Sequence, residues 1–293
     1  MFTFAMSGIK YASKHFNIQN GFVIDSIELA LDENMLWQYL ACFEVNPEFQ
    51  CRMVKKRFRA IGKFVIDPEE EPAALKRPAA AVNAPVEEND DKENVNPEKS
   101  QKMPQEKETP TEKPKSTTKL NHKYYLDNVK QIWHTTSEIF ADIMTLKRVT
   151  FQNLSEQLSS DFVNQEENTD QNTKKLTKSD INNKLQNIKF SINKAGLRAI
   201  RAAHEFENCF KEGIFQNDSE KRAYLLTIMR KGRSFQTLIP NNNKEKLVFM
   251  EESRKAFMQV RRFEGHELLL REEECRLCEE FEKLLPRAAD LVR

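Results

Sequence analysis

The chain has 293 residues, 39% hydrophobic and 31% charged, with a formal net charge of +1. An average globular domain is about 45–50% apolar and 25% charged, so part of this chain lies outside any core. Glycine is scarce, at 7 residues, which counts against Rossmann, P-loop and hydrolase scaffolds, whose ligand turns need glycine, and favours long helices.

The pattern predicts a mainly α fold: a small N-terminal helical module at 1–66, a disordered charged linker at 67–119, and an elongated C-terminal helical bundle with coiled-coil character at 120–293. Phe4, Ile9, Phe16, Phe22, Ile27, Leu31, Trp37, Leu40, Phe43, Val54, Phe58, Ile61 and Phe64 make the first segment apolar. Asn20-Gly21 marks a turn, Asp32 an N-cap and Asn46-Pro47 a break, giving three or four short helices, with Phe22–Ile27 β-prone. About 65 residues is close to the minimum for independent folding, so this segment leans on a partner or on the second one. From Asp67 to Lys119 the chain turns to Glu, Lys, Thr and alanine runs and holds most of the 11 prolines. Such a stretch cannot offset its ordering entropy.

Beyond Leu120 a helical period takes over. Leu126, Val129, Trp133, Thr136, Phe140 and Ile143 follow 3-4 spacing, which slips at Lys147 and resumes as Phe151, Leu154 and Leu158. That slip is a stutter. A polar loop, Asn164 to Lys175, comes next, and Thr177-Lys-Ser-Asp180 resembles a capping box. The most regular seam is Ile181, Leu185, Ile188, Ile192, Ala195, Ala199, Ala202, Phe206 and Cys209, about four heptads with an alanine middle that lets a neighbouring helix approach closely. A shorter helix covers about Glu220–Phe235. A last one runs from about Lys244 to Leu285 and stops at Pro286, with Phe249, Ala256, Phe263, Leu270, Leu277 and Leu284 at seven-residue intervals but Glu267 and Glu274 in its second seam position.

Charge is unevenly spread. Lys189–Arg262 holds 16 Lys/Arg against 8 Asp/Glu, and Glu264–Lys283 reverses this with 8 acidic and 3 basic residues. The two blocks pair within the bundle or steer partners. Lys55, Lys56, Arg57, Arg59 and Lys63 form a second basic cluster, a candidate nucleic-acid contact or else a solvated helix face. No zinc-finger, RNP or homeodomain pattern accompanies it.

No constellation carries catalysis. Cys275-Arg-Leu-Cys278 is a lone C-x-x-C in a helical, glutamate-rich run, where core or surface thiols are expected rather than a four-ligand metal site. The five histidines are scattered. The expectation is a non-enzyme with no cofactor and no metal. Five cysteines make no disulfide framework in a chain this long, and no secretory signal or apolar run of ~20 residues points to export or a membrane. A nuclear or nucleo-cytoplasmic protein, not secreted and without membrane contact, follows.

Short motifs add regulation. Lys92, Glu93, Asn94 and the following Pro97 resemble the KEN-box degron read by the anaphase-promoting ubiquitin ligase, which requires an accessible, extended segment. Lys76-Arg77-Pro78 is a fragment of an import signal, and Thr109-Pro110 a minimal proline-directed phosphorylation site. Arg148, Val149 and Phe151 resemble the R-V-x-F docking motif of protein phosphatase 1 partners, with Thr150 a phosphorylation site that would block docking. In a continuing helix Val149 and Phe151 are core instead. Leu40-Ala-Cys42-Phe-Glu44 spells a retinoblastoma-pocket motif inside an apolar run. Together these point to a cell-cycle-regulated scaffold or adaptor of the chromosome, spindle or replication machinery, working through helical protein–protein contacts. The alternatives are a nucleic-acid-binding protein using its basic patches and a phosphatase-targeting subunit.

Overall fold

A computed structural model describes residues 2–65, 125–163, 178–210 and 213–290, with the backbone alone over 157–163, at 178 and 282 and over 284–290. The fold is mainly α, with no strand among the described residues. Its helices are α1 (Phe2–His15), α2 (Val23–Cys42), α3 (Pro47–Ile61), α4 (Leu126–Val163), α5 (Lys178–Asn208), α6 (Asp218–Thr237), α7 (Asn243–Arg262), α8 (His266–Leu269) and α9 (Glu272–Asp290). Short 3-10 turns follow α1 and α3. Residues 66–124, the loop at 164–177 and the start of the capping box lie outside the described residues.

Asparagine starts three of these helices. Asn46 accepts from Glu48 N with Pro47 in the first turn, Asn217 from Glu220 N at 2.9 Å and Asn242 from Glu245 N at 2.8 Å. Each satisfies a donor the helix leaves open. Asp32 plays no such part: it lies inside α2, whose start at Val23 also makes Phe22–Ile27 helical rather than extended. Burial of Ile27, Ala30 and Leu31 on one face of α2 overrides the local β preference.

The last predicted helix is three helices, α7, the four-residue α8 and α9. Phe263 leaves α7 in an extended conformation and Gly265 sits at φ +74°, a region that favours glycine. A continuous helix would drive Glu267 and Glu274 into the seam. The break leaves Glu267 exposed, pairs Glu274 with Arg222 at 3.0 Å, and lets Leu270 and Cys278 enter the core. Pro286 lies within the final turns of α9 rather than ending it, where its missing N–H removes a single helical bond.

The described residues on either side of 66–124 form one compact unit in which each long helix packs on the next in sequence. Pairs of contacts give the directions. Lys147–Ser191, Phe140–Arg198 and His134–Phe206 run α4 against α5 antiparallel. Lys130–Glu220, His134–Thr227 and Glu138–Arg230 run α4 parallel to α6, across α5. The C-terminal carbonyls of α6 and its exit are held by neighbours: Arg148 donates to Thr237 O at 3.1 Å, and Asn193 both donates to Ile239 O at 2.9 Å and accepts from its N–H at 2.8 Å. The core is made by fully buried Ile27, Ile61, Ile132, Ile139, Ile192, Leu225, Ile228, Phe257 and Val260, each worth about 1.5–3 kcal/mol of burial.

Candidate interaction surface

The seam read from the sequence lies along α5. Ile192, Ala195, Ala199, Ala202 and Phe206 are buried, while Ile181, Leu185, Ile188 and Cys209 are half-buried. Its described contacts run to α4 and α6 of the same chain, with Phe206 against His134 and Phe210. Regular spacing identified the buried stripe without naming what it packs on.

The segment Lys147–Phe151 is helical, in the middle of α4. Val149 is 38% exposed and Phe151 half-buried. In a helix, positions two apart point away from each other, so this geometry does not offer the two side chains together as an extended docking strand would. Arg148 is engaged on Thr237 O, and Thr150 Oγ1 donates to Leu146 O at 3.2 Å. Leu40–Glu44 closes α2 and its turn, with Gln50 Nε2 bonded to Ala41 O and Glu44 O. Lys92, Glu93, Asn94, Pro97 and Thr109 lie outside the described residues.

Arg57 is corrected as a nucleic-acid contact: its side chain is 3% exposed and works inside the fold. It donates to Asn34 Oδ1 at 3.0 Å and to Asp142 Oδ2 at 3.0 Å, with Glu138 at 3.6 Å. Arg230 of α6 meets the other oxygen of Glu138 at 3.7 Å. Side chains of α2, α3, α4 and α6 thus share one charge network. Burial holds the Asp142 carboxyl above its ordinary range, with Arg57 opposing. Along the same stripe of α4, burial and then Arg230 push His134 down to about 4, so the ring is neutral. Thr227 Oγ1 gives its proton to Ala223 O, and the 2.8 Å contact to His134 Nδ1 is therefore a ring N–H donating to the hydroxyl. Lys130, His134, Glu138 and Asp142 recur every four residues, a polar stripe that would have marked this interface in the sequence.

Lys55, Lys56 and Arg59 are exposed on α3 and Lys63 on the 3-10 turn after it, and Arg52 joins them. Large apolar side chains open to solvent concentrate on the first three helices and their turns, with Phe4 at 85%, Tyr39 at 63%, Phe43 at 84% and Val45 at 91%. The outer face of α9 is polar instead, carrying exposed Glu272, Glu273, Arg276, Glu279 and Glu280. Clustered exposed apolar surface is characteristic of partner sites. Burial pushes the Cys278 thiol up to about 11 and also raises that of Cys275, which suppresses thiolate chemistry. Among the described residues no three His, Cys, Asp or Glu side chains converge to hold a metal, and no helix is long and apolar enough to cross a membrane.

Neither a curated protein nor a solved structure matches the chain. A family model does, described as KIF-1 binding protein C terminal, over residues 93–291. That span covers about two thirds of the sequence and all of α4 to α9. With a wholly helical array, charges paired inside it and apolar surface left outside, the chain belongs to the KIF-1 binding protein family, among helical protein-interaction adaptors.

Proposed function

We propose that this protein is a non-catalytic adaptor that holds a protein of the KIF-1 kind named in the family description, using α4 to α9, and presents α1 to α3 to a second partner. The family match over 93–291 carries this reading. The division of surface supports it, because the exposed aromatics of α1 to α3 fall outside the matched span. The direct test mixes the purified full chain with a purified KIF-1 protein and follows co-elution and calorimetry. A complex with Kd in the micromolar range or tighter is expected; no complex at 50-fold higher concentration (about 50 μM) rejects the reading.

The proposal extends to timing and place. Lys92, Glu93, Asn94 and Pro97 would set the protein's lifetime through a ubiquitin ligase, in a nuclear or nucleo-cytoplasmic pool tied to the cell cycle. Alanine at Lys92, Glu93 and Asn94 should prolong the half-life after mitosis. An unchanged half-life, in cells where the tagged protein is also absent from the nucleus, removes this extension and leaves the adaptor reading in place.

A further inference from the structure

We infer that the exposed face of α3 is a docking surface for an acidic segment of a protein partner, an inference that rests on the adaptor reading above. Arg52, Lys55, Lys56 and Arg59 occupy the exposed side of α3, a row about 10 Å long at 1.5 Å per residue, and Lys63 continues it in the 3-10 turn that follows. None of the five makes an ion pair among the described residues, whereas Arg57, on the buried face, takes two carboxylates. The row is therefore uncompensated charge, and not one half of a surface salt-bridge lattice.

Three of the five side chains are also held in place. Lys56 Nζ lies 4.4 Å from the Trp37 ring centroid, Arg52 5.2 Å from Phe49 and Lys63 4.9 Å from Phe64. Charged heads already resting over aromatic rings lose less freedom when an anion arrives. The nearby carboxylates do not neutralise them: Glu33 accepts from Trp37 Nε1 at 3.4 Å, and Glu48 sits in the first turn of α3, where the helix dipole favours it.

Two observations select the occupant. The whole chain has a net charge of only +1, whereas nucleic-acid-binding domains are usually basic overall. At the start of the row, Phe43 is 84% and Phe49 46% exposed, an apolar foothold beside the charges. A short acidic stretch carrying a bulky apolar residue matches both. On a helix its carboxylates would recur about 6 Å apart, close to the pitch of the cations.

The test titrates the full chain with a labelled twelve-residue peptide of ten glutamates and two leucines. The variant is Arg52→Glu/Lys55→Glu/Arg59→Glu. The control is Lys244→Glu/Lys246→Glu/Arg262→Glu, an equal charge change at exposed positions of α7. Far-UV circular dichroism checks that all three proteins are folded. Binding should weaken by about tenfold or more in the α3 variant and by less than about threefold in the control, since exposed pairs contribute a factor of roughly two to five each. Affinity of the wild type should also fall as salt rises from 50 to 300 mM. Equal losses in variant and control overturn the inference. So does tight binding of duplex DNA or of vesicles rich in anionic lipid by a protein that leaves the peptide free. A KIF-1 protein titrated in parallel separates the two readings: if it fails to bind the wild type the adaptor reading falls, while the peptide result still decides α3.

Discussion

Replacing Arg57 by methionine asks whether the first three helices are fastened to α4 by charge. The side chain is 3% exposed and has three partners on two helices: Asn34 Oδ1 and Asp142 Oδ2 at 3.0 Å, and Glu138 Oε2 at 3.6 Å. Hydrogen bonds involving a charged group contribute about 1.5–3 kcal/mol each, and breaking a buried ion pair from one side costs about 3–5 kcal/mol. Here Glu138 and Asp142 keep 34% and 46% of their side-chain surface open and can return to water, so the lower end applies. Methionine also preserves most of the packed stem. The expected loss is about 3 kcal/mol, against about 0.5 kcal/mol or less for the exposed neighbour in Lys55→Met. Urea unfolding followed by far-UV circular dichroism measures both. In a Trp133→Phe background, fluorescence of Trp37 follows the N-terminal helices separately. Asp142→Asn should cost much less once Arg57 is gone, with a coupling of about 1–2 kcal/mol. Were Arg57→Met as mild as Lys55→Met, the network would be decoration and the joining of α3 to α4 would rest on Phe58 and Phe140 packing alone.

Protonation of His134 should be felt in stability. Its folded pKa is lowered from 6.5 to about 4, so between those values the unfolded chain binds more protons and stability falls as pH drops through that window, by up to about 3 kcal/mol; above 6.5 the contribution is complete. His134→Gln, which keeps a donor near Thr227, should flatten the slope between pH 6.5 and 4, and an unchanged slope would locate the titration elsewhere. Gly232→Ala places a Cβ 2.9 Å from a ring carbon of Phe257, a fully buried side chain. A net loss of about 1–2 kcal/mol is expected although alanine gains up to about 1 kcal/mol of helix propensity; a thermal melt showing stabilisation would refute the close approach. Asn217→Ala removes the cap on Glu220 N and should cost about 1 kcal/mol, read by the same melts.

The periodic parts of this fold were legible because periodicity is what burial imposes. The α5 stripe and the position of α6 follow from spacing, and Asn46-Pro47 does start α3. What spacing misled about was continuity: Phe249, Ala256, Phe263 and Leu270 keep a seven-residue interval across a break that only Gly265 announces. The charge network was missed for the opposite reason. Arg57 sits among Lys55, Lys56 and Arg59, and composition cannot show that one of four adjacent cations turns inward to meet carboxylates on α4, 81 and 85 residues away for Glu138 and Asp142. A candidate surface made of exposed residues is harder still, since Phe43 and Val45 look in sequence like the core residues around them.

The order of packing makes one more prediction that separates this array from a bundle with a shared core. Each long helix packs most heavily on its sequence neighbours, and contacts that skip further, such as α4 with α6 and the Arg222–Glu274 pair between α6 and α9, are fewer. Stability in such an arrangement is a sum of local and nearest-neighbour contributions. Phe281 of α9 stacks on Phe257 of α7, centroids 4.8 Å apart and planes at 22°. Phe281→Ala removes about half the burial of a core phenylalanine, because the residue is only partly buried, and should cost about 2 kcal/mol. Hydrogen exchange should then quicken in α9 and in the C-terminal half of α7, weakly in α6 through the Arg222–Glu274 pair, and not in α1 to α3. A uniform rise in exchange from α1 to α9 would mean that the helices unfold as one cooperative body. In that case a partner bound at α4 to α9 would stabilise α3 as strongly as its own surroundings. A gradient that dies out within two helices means the α3 face and the family-matched helices can take partners almost independently, as two-partner binding requires.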